Sequence, residues 1–161
     1  MSSFGLSTEI NVSRKEAENY INEYFRVHPK VKEYMERMVE FCKENNYVTT
    51  ITGRRRNIAE IHSSNFMTRQ LGERLAMNTP VQGSAADIIK IAMVKVYRAL
   101  NISGLDAKMI LQVHDELLIE TAPEELDAVK QILQEEMTGA AELSVNLEID
   151  VHDGENWYEA K

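Results

Sequence analysis

Apolar residues recur every three or four positions in five stretches of the chain, a spacing that predicts amphipathic helices. The predicted helices cover residues 13–27, 31–45, 65–78, 80–100 and 123–137. Ser13 and Glu16 have the spacing of a capping box at the start of the first helix. Thr79 and Pro80 are typical of an N-cap and a first helical residue, so the third and fourth helices are expected to be separate.

The β-type segments alternate with these helices. Residues 47–51 and 54–58 are short and turn at Gly53, which predicts a small hairpin. Residues 107–113 and 116–121 flank the polar pair at positions 114 and 115, which predicts a second, tight hairpin. Residues 145–151 alternate apolar and polar side chains and are expected to add a third strand to it. The order indicates an α+β fold with an antiparallel β-β-α-β sheet packed on long helices.

Composition places the chain among ordinary globular proteins. It has 161 residues, of which 43% are hydrophobic and 27% charged, and no apolar run is long enough to span a bilayer. Residues 1–5 lack the layout of a signal peptide, so a cytoplasmic protein without membrane contact is expected. The single cysteine, Cys42, excludes an intramolecular disulfide and a cysteine-based zinc site, and it is expected to be a buried apolar residue.

The charge is unevenly distributed. The formal net charge of -8 argues against a nucleic-acid partner, but residues 48–74 carry five arginines and only two glutamates. The arginines of this basic segment are Arg54, Arg55, Arg56, Arg69 and Arg74. A local basic surface can bind phosphate in an acidic protein. A solvated turn is the alternative for the first three.

The second hairpin carries acidic residues where its apolar strands meet. Asp115 and Glu116 follow His114 at this tip. Paired carboxylates at a strand end suit a hard divalent cation, and two such cations can serve phosphoryl transfer. The alternative is a solvated turn, because Asp is common in turns. A two-metal site also needs a carboxylate from another segment, and none stands out: Asp87 is expected to be solvated on the polar side of its helix.

Several segments, in order along the whole chain, resemble family A DNA polymerases. Residues 111–116, LQVHDE, resemble the motif C hairpin of that family, and residues 73–90 resemble the long helical segment before it. Residues 53–56, GRRR, are similar to an arginine turn in the family's fingers. The opening residues 1–6 and the closing residues 154–157 also match. The helical segment and the hairpin together are specific, whereas the arginine turn alone is a weak signal.

The resemblance implies a DNA-directed DNA polymerase, a nucleotidyltransferase of DNA replication and repair that adds deoxynucleotides to a primer 3′ end by two-metal transfer. Asp115 would be the catalytic, metal-binding carboxylate, and Glu116 a second carboxylate of the same Mg²⁺ site. His114 would lie against the primer terminus. The partners implied are primer-template DNA and deoxynucleoside triphosphates.

The resemblance also implies DNA-binding residues. Arg74, Asn78 and Gln82 would reach the minor groove, whose hydrogen-bond acceptors change little between base pairs, so donors there can sense pairing shape without reading sequence. Pro80 interrupts their four-residue spacing, so Gln82 is expected on the next helix. Helix capping around Thr79 and Pro80 is the alternative for Asn78 and Gln82.

Two further groups of residues receive DNA-binding roles by the same resemblance. Arg54 and Arg55, with Arg56, would contact template phosphates. Ser2 and Phe4 would lie near the templating base.

The family's thumb, motif A carboxylate and nucleotide-binding helix have no counterpart in the sequence. The chain is therefore expected to be an incomplete domain, with distal fingers at residues 1–78 and part of the palm at residues 79–161. Alone it is expected to be inactive and to need the missing N-terminal part of the polymerase as a partner. Uncovered apolar surfaces would favour self-association.

Two other functions compete with a part of a polymerase. A non-catalytic DNA-binding module would use the arginine turn and would lose affinity steeply with salt. A packing domain with no nucleic-acid role would suit the acidic net charge.

Overall fold

The computed structural model describes residues 2–160 in two compact units. The first unit holds the residues up to Thr49 together with Gly53–Pro80; the second holds Thr50–Thr52 and the residues from Val81 onward. Met1, which belongs to the opening segment of the resemblance, lies outside the described residues, as does Lys161. The division into fingers and palm at residues 78 and 79 stays a prediction.

Helices and two antiparallel hairpins make up the described chain. The elements of the first half are α1 (Ser3–Glu9), α2 (Arg14–Val27), α3 (Pro29–Asn45), β1 (Tyr47–Thr49), β2 (Arg55–Asn57) and a 3₁₀ turn (Ala59–His62). Those that follow are α4 (Phe66–Ser103), β3 (Ala107–Val113), β4 (Glu116–Thr121), a second 3₁₀ turn (Pro123–Glu125) and α5 (Leu126–Thr138). Strand β1 pairs with β2 and β3 pairs with β4, so the predicted α+β class and both hairpins are confirmed.

Local signals set the helix ends in the first unit. The Ser13 hydroxyl accepts from the Glu16 amide at 3.2 Å, and the Glu16 carboxylate accepts from the Ser13 amide at 3.0 Å, which confirms the capping box. Helix α3 begins at Pro29 and ends before Asn46, whose left-handed backbone (φ 65°) stops it. The short helix α1 was not predicted from the sequence.

The core of the first unit lies between α3, the β1–β2 hairpin, the first 3₁₀ turn and the start of α4. Its buried members are Cys42, Val48, Ile58, Ile61 and Ala76. The prediction for Cys42 is confirmed, and burial raises the pKa of its thiol. Gly72 permits the close approach of α4, because a Cβ there would lie 2.7 Å from the backbone nitrogen of Ile61.

The core of the second unit forms where α5 and the second hairpin pack on α4. Its buried members are Val96, Leu100, Val129 and Leu133, and Met109, Leu117 and Ile119 of the hairpin pack against them. The predicted apolar stripe of the fourth helix therefore has its partners within this unit.

The predicted third strand at residues 145–151 is wrong. In the described chain these residues form no strand, and β3 and β4 make a two-stranded sheet. Ile149 and Val151 nevertheless pack against the core of the second unit. The alternating pattern thus reflects apolar packing on one side of an extended segment, without a hydrogen-bonded neighbour.

The predicted break at Thr79 and Pro80 is also wrong, because α4 runs through both as one helix of 38 residues. The Thr79 hydroxyl does not cap a helix: it accepts a hydrogen bond of 3.2 Å from the guanidinium of Arg56. Both Thr79 and Pro80 are buried. Tertiary contacts here override a local stop signal, at the cost of the one backbone donor that proline lacks.

No helix among residues 2–160, α4 included, is apolar enough over a sufficient length to cross a bilayer.

Candidate functional site

The tip of the β3–β4 hairpin is held in an uncommon conformation. Val113 pairs with Glu116, which leaves His114 and Asp115 as a two-residue loop. His114 has φ +52°, in the left-handed region that few non-glycine residues adopt. The Gln112 side-chain amide donates to the His114 carbonyl at 2.7 Å. This hydrogen bond braces the loop from within its own hairpin.

A β-bulge decides which side chains of β3 share a face. Met109 pairs with Ile119 and Leu111 with Leu118, so Ile110 is the extra residue. Directly opposed residues point to the same face of an antiparallel pair. The bulge therefore places Gln112, which is opposite Leu117, on the same face as Met109 and Ile119, where the core of the second unit lies.

The hairpin tip and helix α4 enclose a cleft of about 530 Å³ in the second unit. Its lining from α4 consists of Gln82, Ala85, Ala86, Ile89, Lys90 and Met93, and its lining from the hairpin consists of Gln112, His114 and Asp115. Ile89 and Met93 lie on the turns of α4 just before Val96, a residue of the core. The cleft is thus lined by both apolar and polar side chains of α4 and carries polar groups at the hairpin tip.

The carboxylate of Asp115 is available for a ligand. Asp115 lines the cleft and is exposed, and within residues 2–160 its side chain has no hydrogen-bond or ion-pair partner. Glu116 is also exposed but does not line the cleft. Among the described residues, no three His, Cys, Asp or Glu side chains form a metal-binding group. One or two carboxylates do fit the way Mg²⁺ is bound alongside substrate phosphates, so the residues present suit part of such a site.

The arginine turn, residues 53–56, exposes its cations on the first unit. Gly53 has φ +83°, a conformation that glycine adopts without strain. The Arg55 guanidinium lies 4.7 Å from the centre of the Tyr47 ring, which limits its freedom by a cation–π contact. The Arg56 guanidinium donates its hydrogen bond to the Thr79 hydroxyl. Arg54 and Arg55 are exposed, so phosphate could reach their guanidinium groups.

The polar residues predicted for the minor groove all lie on α4. Arg74, Asn78 and Gln82 are exposed and recur at four-residue intervals along this uninterrupted helix. The capping alternative for Asn78 and Gln82 is lost, because α4 neither ends nor begins between them. Arg74 and Asn78 belong to the first unit and Gln82 to the second.

Ser2 and Phe4 lie at the start of α1. The Ser2 hydroxyl accepts from the Gly5 amide at 3.1 Å and so caps this helix. Phe4 is 69% exposed, which is high for a phenylalanine. Their predicted role near a templating base stays a prediction.

The expectation that Asp87 is solvated is wrong. Asp87 is buried, and its carboxylate accepts a hydrogen bond of 2.6 Å from the Thr52 hydroxyl. The hydrogen bond from Thr52 accounts for a buried carboxylate on the side of α4 that the sequence pattern presents as polar. No local pattern indicated this pairing, since β2, the 3₁₀ turn and the first turns of α4 separate the two residues.

The structure brings three of the predicted site residues into one cleft: Gln82, His114 and Asp115. Sequence reasoning missed Gln112 and Lys90, which line the same cleft. A glutamine within an otherwise apolar strand was a usable signal for the first. For Lys90, a cation on an amphipathic helix is too common to stand out.

Comparison with known proteins assigns a family to this arrangement. The model of DNA polymerase family A matches residues 1–159. The DNA polymerase I of Caldicellulosiruptor bescii is 52% identical over 161 residues, which are 100% of this chain and 19% of that protein. The DNA polymerase I of Bacillus caldotenax is 47% identical over the same length, 18% of that protein. The chain thus spans less than a fifth of the length of these relatives.

The fold is also similar to that of a solved polymerase domain. The POL domain of Pol1 from M. smegmatis, in complex with DNA primer-template and dNTP, matches with a TM-score of 0.95 and 40% sequence identity. The match covers 99% of this chain and 28% of the solved chain.

Proposed function

Because the chain belongs to DNA polymerase family A, we propose that it forms part of a DNA-directed DNA polymerase that extends a primer 3′ end with deoxynucleotides. The observation that carries the proposal is the cleft of the second unit, where an unpaired carboxylate, an imidazole and an amide face one space. The solved relative is described with primer-template and dNTP bound, which supports these two partners.

Asp115 has the central role in the proposal. Its carboxylate supplies an oxygen ligand for Mg²⁺ at the primer terminus, and Glu116, next to it in sequence, adds negative charge beside the site. When bound, Mg²⁺ would supply Lewis-acid activation of the primer hydroxyl and neutralisation of charge on pyrophosphate. The other carboxylate that a two-metal site needs comes from the rest of the polymerase.

The remaining residues of the cleft hold the DNA. The His114 imidazole lies against the primer terminus, and the Gln82 amide donates to minor-groove acceptors of the duplex. Gln112 fixes the loop that carries His114 and Asp115, through its 2.7 Å hydrogen bond to the His114 carbonyl. Correct geometry at the loop matters because small misplacements of reacting groups slow transfer strongly.

The first unit contributes DNA contacts of a different kind. Arg54 and Arg55 bind template phosphates, and Arg74 and Asn78 donate hydrogen bonds to the duplex. Ser2 and Phe4 border the templating base, where the exposed phenyl ring of Phe4 offers a surface for stacking.

The test is a chimera that carries residues 1–161 in place of the matching segment of the Caldicellulosiruptor bescii enzyme. We expect Mg²⁺-dependent primer extension, and a loss on the order of a hundredfold or more in Asp115→Asn with primer-template affinity preserved. The matched control is Asp127→Asn, an exposed carboxylate of α5 that does not line the cleft. A chimera that folds and binds primer-template but extends no primer refutes the function. Unchanged turnover in Asp115→Asn removes that residue from the mechanism.

We also propose that the 161-residue polypeptide incorporates no nucleotide by itself, because it supplies one part of the metal site. Primer extension by the purified chain, compared with its Asp115→Asn variant, is the measurement. Extension that depends on Asp115 would overturn this proposal.

A DNA-binding module without catalysis is the second candidate, favoured by the exposed arginine turn. It predicts that the chimera binds duplex DNA as well as the parent enzyme does, and that extension is absent in both Asp115 forms.

A further inference from the structure

Four side chains and one backbone amide tie the loop before the arginine turn to helix α4, all within the second unit. The Thr52 hydroxyl donates to the Asp87 carboxylate at 2.6 Å, and the hydroxyls of Thr50 and Thr52 lie 3.0 Å apart. One turn earlier on α4, the Ser84 hydroxyl accepts from the backbone amide of Ile51 at 2.9 Å. Asp87 is 8% exposed and Thr50 is 7% exposed. These contacts are called the loop anchor below.

The loop anchor acts on the segment that joins β1 to β2. Strand β1 ends at Thr49 and β2 begins at Arg55, so the intervening residues lie outside the ladder. Ile51 is 58% exposed and does not fix the loop by burial. A loop with few apolar contacts opens readily unless hydrogen bonds hold it. A hydrogen bond to a buried carboxylate is stronger than one between neutral groups, so the contact of Thr52 with Asp87 is a strong constraint on the loop.

The loop anchor holds the residues that immediately precede the arginine turn. Residues 50–52 lead directly through Gly53 to Arg54 and Arg55. A cation on a disordered loop must be ordered when it binds a phosphate, and this ordering weakens binding. Holding the preceding residues removes part of that cost before DNA arrives.

We infer that Asp87 is a positioning residue that, through Thr52, holds the arginine turn ready for contact with a nucleic-acid phosphate backbone. The inference rests on the proposed function for its DNA partner, but the anchor itself can be tested without DNA. Asp87 touches neither DNA nor the reacting atoms in this assignment; it acts through the loop.

The experiment is limited trypsin digestion of the full chain, with cleavage after residues 54–56 compared with cleavage after Arg26 in the same sample. Arg26 lies in the last turn of α2, far along the chain from the loop, and serves as an internal reference. In Asp87→Ala and in Thr52→Val we expect the ratio of the two cleavage rates to rise roughly tenfold or more, from loss of a hydrogen bond to a charged group. Asp87→Asn keeps an acceptor oxygen for Thr52 but not the charge, and should restore part of the protection.

A second arm measures duplex binding of the same variants in the chimera by fluorescence anisotropy. Asp87→Ala should weaken binding severalfold, and Asp87→Asn should weaken it less. An unchanged cleavage ratio in Asp87→Ala refutes the anchor, and so does a parallel rise at both cleavage sites, since that reports general loosening. A changed ratio with no duplex binding by the wild-type chimera refutes the proposed function and leaves the anchor standing.

Discussion

Replacing Arg54 and Arg55 of the arginine turn should change how the affinity for DNA depends on salt concentration. Each phosphate neutralised by a protein cation contributes about 0.9 to the slope of log affinity against log salt for duplex DNA. If Arg54 and Arg55 each neutralise one phosphate, the double substitution to Gln makes the slope shallower by about 1.8. Over a fourfold rise in salt, the double variant would then lose about twelvefold less affinity than the wild type.

The assay is fluorescence anisotropy with a labelled primer-template duplex, titrated at several salt concentrations. Arg56 is kept, because its guanidinium already donates to Thr79. Arg37→Gln is the matched control: this arginine is also exposed and also lies over a tyrosine, the Tyr34 ring at 5.8 Å, but it belongs to α3. An unchanged slope in the double variant would show that the turn does not contact the backbone. An equal change per charge removed in Arg37→Gln would reduce the effect to overall charge.

Three further predictions concern stability and reactivity. Gly72→Ala should destabilise the chain by about 1–3 kcal/mol, since a clash with the backbone of Ile61 outweighs the gain in helix propensity. Urea unfolding measures the loss of stability, with the exposed Gln70→Ala as the control. Equal unfolding midpoints in the two variants would contradict the prediction. Hydrogen bonds from Ser13 lower the pKa of Glu16 from 4.5, so its carboxylate stabilises α2 above that value and ceases to do so as pH falls through the lowered pKa. Glu16→Gln should therefore flatten the acid dependence of helicity seen by circular dichroism, and an unaltered profile would count against the capping box. Burial raises the pKa of Cys42, so a disulfide reagent should modify it only after denaturant is added, and rapid reaction in native buffer would show that the first core is open.

The sequence predicted those elements whose signals are local. The capping box of α2 and the two hairpins each depend on residues a few positions apart, and each is confirmed. The break at Pro80 was equally well signalled and is wrong. The helix continues there, and Thr79 instead contacts Arg56, which lies 23 positions away. No window of a dozen residues contains that information.

The candidate site shows the same limit at the level of single side chains. His114, Asp115 and Gln82 could be named from the sequence by resemblance, but their meeting in one cleft depends on how the hairpin packs against α4. The bulge at Ile110 decides whether Gln112 faces that cleft, and a one-residue shift is invisible in an apolar strand pattern. Asp87 was misjudged because its partner, Thr52, comes from 35 positions earlier.

The conformation of the hairpin tip indicates that His114 and Asp115 serve binding rather than turn stability. A two-residue hairpin loop is formed with least strain by Asn-Gly or Asp-Gly, because those residues accept positive φ. This loop instead places a histidine at φ +52° and follows it with an exposed aspartate whose carboxylate has no partner within residues 2–160. Neither choice favours the turn, and the carbonyl of His114 is held by the hydrogen bond from Gln112. Strain that the surrounding structure maintains is a reason to look for function at the strained residue. If His114→Gly, which relieves the strain, stabilised the chain and left primer extension by the chimera intact, that reasoning would fail at the residue where it is strongest.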